Sequence, residues 1–436
     1  MASMFRRLSV ACLLAAVPLQ PAYAFDGGTA SAPASNAPRK EASTSNSALI
    51  AKAVEEILKL EENGEWPYEG VYRVPAKDEK TGRRVMEIPV GYRIGGTAIV
   101  GLALLYGAPA EDAAAAAAID RGVASILKLL EHPLMQPSTE NVYDVRVWGH
   151  SFALEYFCRL REQKRLGQHE KAVQLWIPKL VATLIQEELE EGGWNYGGRF
   201  DEVDVDENGN VIRNNPRNPD EAKKKAVKTV KWWTPASFVT SPVSQAMLLA
   251  KSQGEKVPDA LFDRAASVLQ KERLKDGTFL YAGMVRNEMS EKARQQVEAR
   301  EKLPGSIARS AVCEVTLQLL SGKDNNKEVK AAIEAFHKYW DELEKRRKKT
   351  GTHVPPYGIA PYYFYYGHRY AAQAIEFLPE RERAAERARL KEVILRTRDE
   401  NGTWNDRVFP RSASFGTAMM VLALLGEQAP KPARKG

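Results

Sequence analysis

Six polar positions recur at one place in a repeated pattern along this chain: Thr97, His150, Ser241, Ser310, His368 and Thr417. Each falls in the first turn of an apolar segment, so all six are expected to ring one end of a common cavity. A histidine beside a carboxylate moves protons near neutral pH, and His150 has Asp144 and Glu155 close in sequence. Tyr143, Arg146 and Trp148 flank the first histidine, and Tyr362, Tyr363, Tyr365, Tyr366 and Arg369 flank the second. Trp232 and Trp233 precede the third apolar segment, and Arg309 sits in the fourth. Aromatic faces with nearby polar groups suit a sugar ring or an apolar ligand, while arginines and helix N-termini favour anions.

This reading names His150, His368, Asp144, Tyr143, Arg146 and Glu314 as catalytic candidates. It adds Thr97, Ser241, Ser310, Thr417, Trp148, Trp233, Tyr363 and Arg309 as ligand contacts. A plainer reading stands beside it. Ser and Thr cap helices, and the two histidines then serve as hydrogen-bonded fillers. Glu155 and Glu314, inside apolar runs, are either buried carboxylates of functional interest or partners of Arg159 and Arg309.

These residues need elements to hold them, and the elements repeat. Gly96-Thr97-Ala98 leads into Leu102-Ala103-Leu104-Leu105, and Gly416-Thr417-Ala418 leads into Leu422-Ala423-Leu424-Leu425 with the same spacing. Counting the slots at Gly149-His150, Thr240-Ser241, Arg309-Ser310 and Gly367-His368, the chain carries six copies of one helical hairpin. The first helix of each pair is amphipathic and charged, as in 48–62, where Leu49, Ile50, Ala53, Val54, Ile57 and Leu58 form a stripe. The second helix is apolar around most of its girth, as in 419–425. Charged helices outside and apolar helices inside satisfy both patterns, which predicts an all-α fold, an (α/α)6 toroid.

Between the two helices of several pairs lies a turn: Asn63-Gly64-Glu65-Trp66, Gly192-Gly193-Trp194, Asp276-Gly277-Thr278-Phe279 and Asn401-Gly402-Thr403-Trp404. Asn or Asp before Gly supplies a positive φ that closes such a turn. The following aromatic then covers the helix junction. This turn followed by a Gly-Thr-Ala helix resembles the repeat of the terpenoid cyclase and protein prenyltransferase superfamily, the prenyltransferase/squalene-oxidase repeat. The resemblance covers most of residues 48–426 and is weakest in the second and fifth units, which lack the aromatic turn. It implies an α/α barrel around an apolar cavity.

The chemistry of that superfamily is not carried over. Its cyclases protonate an alkene with an Asp-rich tip, and the nearest match here, Asp204-Val205-Asp206-Glu207, reads as part of a β-hairpin insertion near 200–215 turning at Asn208-Gly209. The same residues resemble half a calcium loop, but Asn215 stands where a bidentate Glu is needed. Prenyltransferases hold zinc with an Asp-x-Cys pair. Cys313 has Ala311 two residues before it and no Cys-His pair exists, so neither a metal nor a cofactor is expected.

Residues 1–24 read as a signal peptide, with Arg6-Arg7, an apolar core and Ala22-Tyr23-Ala24. Residues 25–47 read as a disordered leader, 48–426 as the toroid and 427–436 as a disordered tail. A net charge of +7 on 436 residues, spread in mixed runs, gives no nucleic-acid stripe. No segment after the signal has about 18 uninterrupted apolar residues, so no membrane span is expected. Cys158 and Cys313 are expected to be buried thiols. The sequence thus describes an exported toroid that binds a small-molecule or glycan ligand in its central cavity. Two alternatives stand: an extracytoplasmic glycan lyase or hydrolase with a His/Tyr/Arg site at the mouth, or a protein-interaction scaffold.

Overall fold

A computed structural model describes residues 44–78, 80–137, 145–197, 203–205, 228–230, 234–281, 302–351, 354–357 and 363–435. Thirteen α-helices among them form six pairs. The pairs are α1 (Asn46–Lys59) with α2 (Val90–Gly107), α3 (Ala113–Leu130) with α4 (Arg146–Glu162), and α5 (Glu170–Gln186) with α6 (Ser237–Ser252). They continue as α7 (Asp259–Glu272) with α8 (Leu303–Ser321), α9 (Asn326–Lys338) and the short α10 (Trp340–Glu344) with α11 (Tyr363–Ile375), and α12 (Glu380–Arg396) with α13 (Ser412–Leu424).

Burial separates the two layers as the composition requires. Every residue of α13 is buried, whereas α12 buries only Leu390 and Ile394. The second helices pack in sequence, α2 on α4, α6, α8, α11 and α13, and α13 returns to α2. The ring is closed, and the fold is an all-α, six-hairpin toroid. Close approach of α2 and α4 depends on glycine: a Cβ on Gly149 would lie 2.9 Å from Gly91 Cα. α2 is long and apolar enough to cross a membrane by length and composition, but it is a buried inner helix of this ring.

Four details go beyond the sequence reading. Helix α1 begins at Asn46, capped by Ser45 Oγ on the Ala48 N–H, inside the stretch assigned to a leader. The insertion is not a tight hairpin, since β3 (Val203–Val205) pairs antiparallel with β4 (Lys228–Val230) in the basic stretch; Asn208-Gly209 lies outside the described residues. An unforeseen hairpin, β1 (Val74–Lys77) with β2 (Arg84–Glu87), leads from the first turn into α2.

The fourth detail is the C-terminal segment. Residues 429–435 are held against the end of the barrel opposite the aromatic turns. Arg159 Nη2 donates to Lys431 O (2.5 Å), Lys435 N donates to Leu319 O (3.1 Å) and Lys435 Nζ pairs with Asp263 (2.5 Å). Ala429 and Ala433 pack on the core.

Candidate functional site

The recurrent polar position turns out to be a latch between the layers. Thr97 Oγ1 accepts the Trp66 backbone N–H and Thr417 Oγ1 that of Trp404, both at 3.0 Å. In the third and fourth units Thr240 Oγ1 takes the Trp194 N–H (3.0 Å) and Ser306 Oγ that of Phe279 (2.9 Å). The equivalent residues are therefore Thr240 and Ser306, not Ser241 and Ser310. Ser241 Oγ points to Cys313 Sγ (3.4 Å), and Ser310 Oγ bonds Ser306. Each Trp indole then donates to a carbonyl in the last turn of its outer helix: Trp66 to Ile57, Trp194 to Leu184 and Trp404 to Ile394, at 2.7–2.9 Å. One aromatic residue thus satisfies an orphan helix-end carbonyl and fixes the next helix. Gly416 leaves room for this, because a Cβ there would sit 2.3 Å from Trp404 O.

The histidines fill the same slot in the two units that lack the aromatic turn. Trp340 Nε1 donates to His368 Nε2 (2.8 Å), and His368 Nδ1 faces Phe364 O (2.7 Å), so the ring is a neutral tautomer with both nitrogens engaged. Burial pushes its pKa down to about 3. His368 is a structural filler and not an acid or base. His150 Nδ1 lies 3.0 Å from Glu187 Oε2, on the C-cap of α5, while Glu155 is paired elsewhere. Arg146 Nε stands 3.8 Å from Glu187 Oε1 and donates to Gly197 O (2.9 Å).

The remaining candidates disperse. Glu314, whose burial raises its pKa, accepts Arg273 Nε (2.6 Å), not Arg309. Arg309 donates to the Phe279 and Gly305 carbonyls. Glu155 pairs with Arg369 at 2.7 Å instead of Arg159. Cys158 and Cys313 are buried free thiols, each pushed up to about 12 by burial. Tyr143, Asp144 and Trp233 lie outside the described residues.

Two places after the turn aromatics stand Tyr68, Tyr196, Tyr281 and Asp406. Tyr68 meets Tyr92, Trp148 and Phe415 with ring centroids 4.6–6.3 Å apart. Tyr196 and Tyr281 flank Phe238 at 5.1 and 5.0 Å, and Tyr196 Oη bonds Tyr363 Oη at 2.9 Å. Of the predicted contacts, Trp148 and Tyr363 therefore belong to these buried aromatic clusters. Beneath this aromatic wall the axis is crossed by polar bridges between helices on different sides of the ring. Glu155 of α4 meets Arg369 of α11, and the Gln245 and Gln373 amides bond reciprocally at 3.0 and 2.9 Å.

The fourth position breaks the tyrosine pattern with a carboxyl. Asp406 is 0% exposed, and neither carboxyl oxygen has a hydrogen-bond partner among the described residues. The N–H groups of Asp406 and Tyr365 face it without reaching hydrogen-bond geometry, and Arg407 and Arg347 act on it electrostatically. Burial outweighs all of them and raises its pKa to about 7, so the group is still partly protonated at neutrality. It acts electrostatically on Tyr68, whose own pKa burial raises. Arg407 beside it is 2% exposed, and its buried Nε and Nη1 have no hydrogen-bond partner among the described residues. Arg407 also lines a groove of about 710 Å³ with Thr403, Asn405, Val408 and Pro410. The repeat contained the signal for Asp406: Trp66-Pro67-Tyr68 and Trp194-Asn195-Tyr196 align with Trp404-Asn405-Asp406.

No family model matches this chain, and no curated protein does. Among solved structures it is similar to a possible member of the GH105 family from Klebsiella pneumoniae, with 13% identity, TM-score 0.44, and coverage of 92% of this chain and 99% of that one. It is also similar to a possible GH105 member from Salmonella enterica, with 12% identity, TM-score 0.42, and coverage of 88% and 93%.

Proposed function

We propose that this chain is an exported glycan-acting enzyme of the α/α-toroid type whose site lies at the aromatic-turn end of the ring, with Asp406 as proton donor. The observation that carries the reading is Asp406: a fully buried carboxyl, without a hydrogen-bond partner among the described residues, in the repeat position that tyrosines hold in three other units. Cleaving a glycosidic bond by hydrolysis requires a proton on the leaving oxygen, and a carboxyl neutral near pH 7 can deliver it. We assign sugar stacking to the cluster of Tyr68, Tyr92 and Trp148, whose rings now pack on one another. A terpene-length apolar funnel, the cavity that the prenyltransferase-type repeat implies, is disfavoured by the Glu155–Arg369 and Gln245–Gln373 bridges across the axis. Export rests on the Arg6-Arg7 and Ala22-Tyr23-Ala24 signal pattern.

The test is release of reducing ends from a panel of neutral and acidic polysaccharides by the wild type and Asp406→Asn. Turnover by the wild type and its loss in the variant support the reading; equal turnover by both removes Asp406 from it. A second reading, a protein-interaction scaffold, is favoured by the filled lower axis. It predicts no turnover and no saccharide binding by either protein.

A further inference from the structure

The β1–β2 hairpin presents to solvent a face that the barrel does not use. Cross-strand partners share a face of a hairpin, and so do side chains two apart along a strand. The register pairs Pro75 with Met86 and Lys77 with Arg84, so these four stand on one side, and all four are exposed. Met86 is 52% exposed, and Val71, just before the hairpin, 40%. The sixth-turn loop lies alongside. Ser412 Oγ donates to Glu69 O (2.6 Å), and the Arg73 guanidinium stands 5.8 Å from the Phe409 ring. Next to Phe409 is Val408, 43% exposed. Of the four large apolar side chains exposed among the described residues, three therefore gather at this rim, and Leu175 on α5 is the other. Such a gathering marks a contact surface, where a single exposed apolar residue does not.

The charges identify the partner. Lys77 and Arg84 are like charges set directly opposite each other, an arrangement that destabilises the hairpin on its own. Lys80 and Arg83, at its turn, are exposed as well, and none of the four has an ion-pair partner among the described residues. Nearby acids are engaged elsewhere. Asp78 accepts the Lys80 and Thr81 N–H groups and the Thr81 hydroxyl at 2.7–3.1 Å, and Glu69 pairs with Arg73 at 2.5 Å. Glu87, on the opposite face beside Val74, acts on Arg93, and Glu79 lies outside the described residues. A partner that brings negative charge to the cations and takes Met86 and Pro75 out of water relieves both strains together. We infer that this face docks on an anionic phospholipid surface, with Met86 and Pro75 entering the headgroup layer and Lys77, Lys80, Arg83 and Arg84 meeting lipid phosphates. The docking is peripheral, goes beyond the reading of the chain as glycan-acting, and is measured without it.

The experiment is co-sedimentation of the full chain with phosphatidylcholine vesicles, with and without phosphatidylglycerol. In low salt the anionic vesicles should bind about tenfold tighter than the neutral ones. That preference should vanish near about 1 M salt, where charges act over only about 3 Å. Met86→Ser should weaken binding about fivefold. Arg84→Glu should abolish the preference while giving Lys77 an opposite charge across the strands, so its lost binding is not a lost fold. Equal binding to both vesicle types, or none in low salt, overturns the docking. Binding that Met86→Ser leaves unchanged overturns it too, because charge alone then accounts for the contact. Dimerisation in analytical ultracentrifugation that Met86→Ser abolishes, without vesicle binding, gives this face to a second copy of the chain instead.

Discussion

Replacing Asp406 with Asn should make the folded protein more stable at alkaline pH and leave it nearly unchanged in acid. The carboxyl titrates near 3.9 in an unfolded chain and at about 7 in the fold, where burial penalises its charged form. Between these values the folded state binds a proton that the unfolded state has released, so stability falls as pH rises, by about 1.4 kcal/mol per pH unit. Above about pH 7 both states are ionised and the loss is complete, amounting to about 4 kcal/mol. Asparagine keeps the shape and carries no charge, so the variant escapes that loss. Urea unfolding of both proteins at pH 4.5, 6 and 8.5 measures the difference directly. The variant's advantage should grow to about 4 kcal/mol at the highest pH. A difference that stays constant across this range refutes a proton-loaded Asp406, and with it the acid role. A gain in stability from removing a polar group is the pattern expected where a fold carries a cost for function.

Other outcomes follow from the same geometry. Thr417→Val removes the acceptor of the buried Trp404 N–H and should cost about 1–3 kcal/mol in denaturant midpoint analysis, with Thr97→Val behaving alike. Glu155→Gln leaves Arg369 buried without its carboxylate and should cost about 3–5 kcal/mol, whereas Gln245→Leu should cost less. His368 stays neutral down to about pH 3 in the fold while its unfolded form takes a proton below about 6.5. Stability is therefore lost as pH falls from 6.5 towards 3, a loss His368→Gln should lessen in acid unfolding curves. Deleting residues 429–436 removes the bonds to Arg159, Leu319 and Asp263 and should lower Tm without altering helicity by circular dichroism.

The architecture was legible because the two helix types differ in what they can leave in water. The stripe of Leu49, Ala53 and Ile57 and the continuous apolar run of 419–425 state their layers before any coordinates. The site was less legible because repetition marks a position without its direction. Thr97 and Thr417 are equivalent by pattern, but they lie beyond the first turn of their inner helices, at the eighth and sixth residues, and their hydroxyls face the layer behind, where the turn backbone needs an acceptor. Two register errors followed from neighbouring hydroxyls: Thr240 precedes Ser241 by one residue, and Ser306 lies one helical turn before Ser310. The histidines drew attention by their chemistry, yet His368 is used for its two nitrogens as a hydrogen-bond bridge. Asp406 went unread because a single Asp in a polar turn has no local signature. Only comparison with Tyr68, Tyr196 and Tyr281 shows that its side chain is directed inward.

The most direct test is a crystal structure of Asp406→Asn soaked with an oligosaccharide that the wild type cleaves. The sugar should lie at the aromatic-turn end, one ring against Tyr68, Tyr92 or Trp148, with a glycosidic oxygen within hydrogen-bond reach of residue 406. A sugar bound on the outer helices, or at the end held by residues 429–435, contradicts the account.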